Sequence, residues 1–125
     1  MNSESLTPSI LCLCVYVDQV VTAEIKYYAS KANEYGVPLD PRHQWVKTDW
    51  LSWAAAMAGE LASPPANVSF ESFMDTIFQE VNATIDRNPF TDLYNTVTAR
   101  QSMGGFITRP VIGGIFARAL FEKQL

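Results

Sequence analysis

Six side chains in this sequence have the type and setting for work on a small molecule: Asp49, Asp92, Arg109, His43, Trp50 and Tyr94. A carboxylate can take a proton from water and return one to a leaving group, which makes Asp49 and Asp92 the catalytic candidates. Arg109 immediately precedes Pro110, where its guanidinium could hold a carboxylate in a two-point contact. Trp50, Tyr94 and His43 complete the binding candidates, with Trp53 a second aromatic at helical spacing from Trp50. Each has a plainer role open to it. Asp49 suits a helix N-cap, and Asp92 suits a turn in which the side chain bonds its own backbone. Arg109 could tie a loop down by a salt bridge, His43 could make a loop hydrogen bond, and Trp50 and Trp53 could be core residues. His43 is the only histidine, so a metal centre built from several His or Cys ligands is excluded within this chain, and no cofactor is expected.

The 125 residues carry a formal charge of −4, and Lys and Arg form no cluster that could follow a phosphate backbone, so nucleic acid is not an expected partner. Cys12 and Cys14 stand one residue apart, unsuited to a normal bridge, and are expected to be packing residues. Ile10 to Val17 is an apolar run that makes a poor secretory leader: no Lys or Arg precedes it, Asp18 interrupts it and no clear cleavage site follows. A chain start further upstream explains it equally well. No stretch approaches the roughly 20 apolar residues that span a bilayer, and no membrane is expected.

Four helical segments must position the candidates. Val21, Ile25, Tyr28, Ala32 and Tyr35 step by four and three, which predicts a helix ended by Gly36 as C′ residue and by Pro38. After a loop over 37–47, a second helix is expected from Thr48 or Asp49 as N-cap to about Leu61. Trp50, Trp53, Ala54, Met57 and Leu61 mark one side of it and Leu51, Ala55 and Ala58 the other, so both sides need cover. Ser63, Pro64 and Pro65 break the chain. Ser69 then caps a third helix whose stripe is Phe70, Phe73, Met74, Ile77, Phe78, Val81 and Ile85, with Asn88 and Pro89 ending it. A polar connection over 90–109 follows, in which 96–98 or 106–108 could pair as short strands. Pro110 suits the first position of a last helix that turns Ile112, Ile115, Phe116, Ala119 and Leu120 inward, with Gly113 and Gly114 permitting close approach of a neighbouring backbone. The expected class is all-α, two helical hairpins.

Three stretches taken together resemble the fungal glutaminase A family: Tyr35-Gly36-Val37-Pro38-Leu39-Asp40 leading to Lys47-Thr48-Asp49-Trp50, then Pro89-Phe90-Thr91-Asp92-Leu93-Tyr94, then Arg109-Pro110-Val111-Ile112-Gly113-Gly114. The resemblance covers residues 23–125 and leaves 1–22 unmatched. It implies the C-terminal part of a six-hairpin alpha/alpha toroid, secreted by fungi, that hydrolyses glutamine to glutamate and ammonia. Six hairpins need on the order of 200 residues or more, so two hairpins make a partial toroid, inactive alone, whose partners are the missing hairpins and whose stripe at Phe70 to Ile85 faces them. In that setting Asp49 and Asp92 would sit at the open end, Arg109 would hold the substrate's α-carboxylate, and the substrate would be glutamine. A sugar substrate is the alternative, because such toroids also carry paired carboxylates and aromatic platforms for glycosidases; a third reading is a non-catalytic, degenerate fragment. Asn95 and Ile115 depart from the family pattern, in which an Asp is usual after the Tyr and a His often follows the Gly pair, and neither can exchange a proton near neutral pH. The sequons Asn67-Val68-Ser69 and Asn82-Ala83-Thr84 accord with an extracellular location.

Overall fold

A computed structural model describes residues 8–86, 91–102, 106–107 and 109–123, and side chains from residue 17 onward except Phe121. The element order is α1 (Pro8–Lys31), β1 (Trp45–Lys47), α2 (Thr48–Gly59), α3 (Phe70–Ala83), β2 (Leu93–Asn95), a 3-10 helix (Pro110–Phe116) and α4 (Ala117–Glu122). The chain is therefore mainly helical, as expected, with a two-stranded antiparallel sheet that the all-α reading lacked.

Helix α1 begins far upstream of Val21 and stops at Lys31, short of the expected Gly36. The chain leaves the helix because Asn33 has better bonds elsewhere. Its side chain donates to Gln44 Oε1 and Thr96 Oγ1, both at 2.7 Å, and its backbone N–H donates to Gly36 O at 2.8 Å. Gly36 is thus the corner of a tight turn rather than a helix C′ residue. Its φ of 127° is open to glycine, and a Cβ there would lie 2.9 Å from Leu51 Cδ2. Ile25 is the fully buried residue of the α1 stripe, with Val21 and Tyr28 packed beside it. The cysteine side chains and the end expected at Asn88 and Pro89 lie outside the described residues.

Strand β1 pairs with β2 in the register Trp45↔Asn95, Val46↔Tyr94 and Lys47↔Leu93. Alternation sends Val46 and Tyr94 into the core and leaves Lys47 and Leu93 at its margin. The strands are not those expected at 96–98. Ile107, in the other expected stretch, forms an isolated bridge with Thr91.

Helix α2 is the hub: α1, α3, the 3-10 helix and α4 all pack on it. Its side bearing Leu51, Ala55 and Ala58 is buried with Phe73 and Ile77 of α3. The other side is half open, with Trp50 55% and Trp53 46% exposed. Ser69 caps α3 as expected, in a reciprocal capping box with Ser72. The helix ends at Ala83, and its buried face runs Phe73, Ile77, Glu80 and then Thr84, while Phe78, Val81 and Ile85 point to solvent. The expected stripe was wider than one partner helix can cover. Pro110 does open the last helical segment. Its first seven residues are 3-10, whose three-residue turn puts Ile112 and Ile115 on one half-buried line and leaves Phe116, Ala119 and Leu120 exposed, contrary to expectation.

Candidate functional site

The strand pairing and the start of α2 bring four of the chain's charged side chains to one place. Thr48 anchors the junction: its N–H donates to Asp92 O at 3.1 Å and its hydroxyl donates to Thr91 O at 3.0 Å. Asp49 follows one residue later, within the first turn of α2. It is not the N-cap; Lys47 occupies that position and supplies no side-chain cap. Both aspartates are shut from solvent, Asp49 2% and Asp92 0% exposed.

Two buried carboxylates repel each other unless cations stand between them, and here two do. Lys47 Nζ lies 3.3 Å from Asp49 Oδ2 and 3.9 Å from Asp92 Oδ2. Arg109 grips Asp92 with both arms of its fork, Nε donating to Oδ1 at 3.0 Å and the terminal nitrogen donating to Oδ2. This hydrogen-bonded pairing is the main reason the Arg109 pKa rises, with the charge of Asp49 adding a little. Phe106 stacks under the guanidinium, 4.4 Å from ring centroid to Cζ. The salt bridge foreseen as the plainer role of Arg109 is therefore present, and it is made with the second candidate carboxylate.

Asp49 keeps one oxygen, Oδ1, buried and without a hydrogen-bond partner. The 3-10 helix roofs this corner: a Cβ on Gly114 would fall 2.9 Å from Asp49 Cβ and 3.1 Å from Trp53 Nε1. Gly114 thus allows the close approach anticipated for the glycine pair, whereas Gly113 faces open space. Trp50 and Trp53 lie on the same helix with ring centroids 5.9 Å apart. They border an apolar groove of ≈ 270 Å³ that also takes in Leu39, Met57 and Phe73.

The other candidates sit elsewhere. His43 is on the exposed Asp40–His43 turn, whose Asp40 is held at about 2 chiefly by hydrogen bonding from Arg42. Tyr94 points into the core, fully buried, with its hydroxyl near Gly36 and Thr76 and facing Glu80. Among the described residues no group of three or more His, Cys, Asp or Glu could hold a metal ion.

Sequence reasoning missed Lys47 and Glu80. Lys47 gains its role from lying opposite Leu93, one residue from Asp92, which local pattern cannot reveal. Glu80 had a signal: it stands seven residues after Phe73 and three after Ile77, on the line that turned out to be buried.

A mainly helical frame thus holds two buried carboxylates braced by Lys47 and Arg109. The particular family follows from comparison with known proteins. The Glutaminase A six helical-hairpin domain matches residues 5–119, and the chain belongs to that family. It is 39% identical to glutaminase A of Aspergillus oryzae over 92 residues, 73% of this chain and 12% of that protein. It is 35% identical to a probable glutaminase of Arthroderma benhamiae over 106 residues, 84% of this chain and again 12% of the relative. The chain therefore spans about an eighth of the length of these relatives. No solved structure matches.

Proposed function

We propose that this chain is a segment of a hydrolase converting glutamine to glutamate and ammonia, that it supplies the Asp49–Lys47–Asp92–Arg109 centre, and that it is inactive alone. The observation that carries the reading is two buried carboxylates drawn to one lysine, with a single Asp49 oxygen left unpartnered. Asp92 has both oxygens engaged by Arg109, so its role is to hold the cations in place. Once the 3-10 helix at Gly114 shifts to admit water and substrate, Asp49 Oδ1 takes a proton from water as the water's oxygen bonds to the amide carbon. Lys47 and Arg109 stand ready as donors to the developing oxyanion. Breakage of the C–N bond then releases ammonia once Asp49 returns the proton to nitrogen.

The remaining wall of such a site lies outside this chain, and the open side of α2 with Trp50, Trp53 and Met57 is where further hairpins of a toroid would pack. An extracellular location belongs to the same proposal, supported by the family resemblance and the two sequons. Asn95 does not weaken it: its Oδ1 accepts from the N–H groups of Val97 at 2.9 Å and Thr98 at 3.0 Å, a turn-shaping job that asks for an acceptor and no proton exchange.

Ammonia release from L-glutamine tests the reading. The isolated 125-residue chain is expected to release none. A chimera in which residues 23–120 replace the matching segment of the Aspergillus oryzae protein is expected to be active, and Asp49→Asn within it to lower kcat by roughly 10²- to 10⁴-fold. Turnover by the isolated chain, or an Asp49→Asn chimera with undiminished kcat, would defeat the proposal; reducing-sugar release from oligosaccharides in place of ammonia would transfer it to a glycosidase.

A further inference from the structure

The segment that roofs Asp49 is fastened firmly at its two ends and only lightly between them. At one end Arg109 grips Asp92 and stacks on Phe106. At the other, the Arg118 guanidinium lies over Phe70, 4.5 Å from ring centroid to Cζ, and against Gly59, where a Cβ would fall 2.9 Å from a terminal nitrogen of Arg118. Between these anchors Pro110–Phe116 contains no buried residue. Ile112, Gly114 and Ile115 rest half-buried on α2, while Val111, Gly113 and Phe116 face solvent.

The cost of lifting this stretch is small. Seven residues is long for a 3-10 helix, whose hydrogen bonds are less well aligned than those of an α-helix. Its middle is Gly113-Gly114, and glycine gains more backbone freedom on leaving a helix than any other residue. With no fully buried side chain of its own to expose, the segment loses little apolar burial. Lifting it also brings a gain. Asp49 Oδ1 lies beneath Gly114, buried and without a hydrogen-bond partner, and a carboxylate oxygen in that state is costly until water reaches it.

We propose that Pro110–Phe116 is a strap that opens locally over Asp49, bowing outward at Gly113-Gly114 while Arg109 and Arg118 hold its ends. Closed, it keeps water from the carboxylate; open, it lets water and a small polar substrate reach Asp49 Oδ1. Arg109 stays on Asp92 throughout, so the opening is separate from unfolding. The purpose of the strap rests on the reading of Asp49 as the base, but its motion needs no substrate.

Native-state hydrogen exchange of the 125-residue chain, followed amide by amide in urea below the unfolding transition, tests this. The N–H groups of Ile112, which donates to Arg109 O, and of Ala117, which donates to Gly114 O, bracket the glycine pair and report the strap. Those of Ala55 in α2 and Ile77 in α3 report the core. The strap amides should be less protected than the core amides by on the order of a hundredfold and nearly insensitive to urea, because a local opening exposes little surface. Gly113→Ala adds a methyl that meets nothing within 4 Å and should slow strap exchange roughly fivefold by removing the glycine's freedom in the open state. Asp49→Ala removes the unpartnered oxygen and should slow it by about tenfold. Strap amides that share the urea dependence of α2 and α3, or that keep the wild-type rate in these variants, would overturn the proposal. Should Asp49→Ala not fold, Gly113→Ala and the wild-type profile decide. Since the measurement contains no glutamine, its outcome is distinguishable from that of the ammonia assay.

Discussion

Asp92 and Glu80 are buried to the same degree, at 0% and 2% exposure, yet the chain satisfies them in opposite ways. Asp92 sits at the end of β2 with Arg109 on both oxygens and Lys47 at 3.9 Å, so its charge is answered by charge. Glu80 lies on α3 beside Gln101, with no cation and with Asp86 nearby, and burial pushes its carboxyl up to about 7. Burial alone does not decide the ionisation of a carboxylate. The supply of donors does, and that supply is set by which elements pack against it.

The strongest way to break this contrast is to remove the cation. Arg109→Met leaves Asp92 buried with only the distant Lys47, and we expect a loss of about 2–4 kcal/mol in urea denaturation at pH 7, below the figure for a fully enclosed pair because Arg109 is partly exposed. An unchanged midpoint would mean that the pair contributes little. Gly114→Ala probes the roof over Asp49: a methyl 2.9 Å from Asp49 Cβ and 3.2 Å from its Cα must displace the 3-10 helix, at about 1–3 kcal/mol in urea denaturation. The smallest change is Tyr94→Phe. Its hydroxyl is buried without a hydrogen-bond partner, so its removal should change stability by less than about 1 kcal/mol in urea denaturation; a larger loss would show that the hydroxyl is bonded.

These two regions also show how far local pattern carries. The capping residue Ser69, the break at Pro64 and Pro65 and Pro110 at a helix start were all readable from residue type and spacing. The end of α1 was not, because Asn33 is drawn out of the helix by Gln44 and Thr96, partners 11 and 63 residues away. Nor was the strand pair, whose three-residue strands are too short to show a period of two. Phe70 to Ile85 offered more apolar positions than α2 could cover, and only packing selected Phe73, Ile77 and Glu80 for the interior.

By itself the amino-acid sequence determined helical content and most of the breaks, because propensity, capping and apolar spacing act over a few residues, and three motifs taken together carried the resemblance to the family. Tertiary structure alone decided which oxygen of which carboxylate is matched. Lys47 reaches Asp92 only through the register of β1 on β2, and Glu80 meets Gln101 only because the fold brings α3 beside residue 101. Electrostatic contacts of this kind join residues far apart in the chain, and no local rule of spacing encodes them.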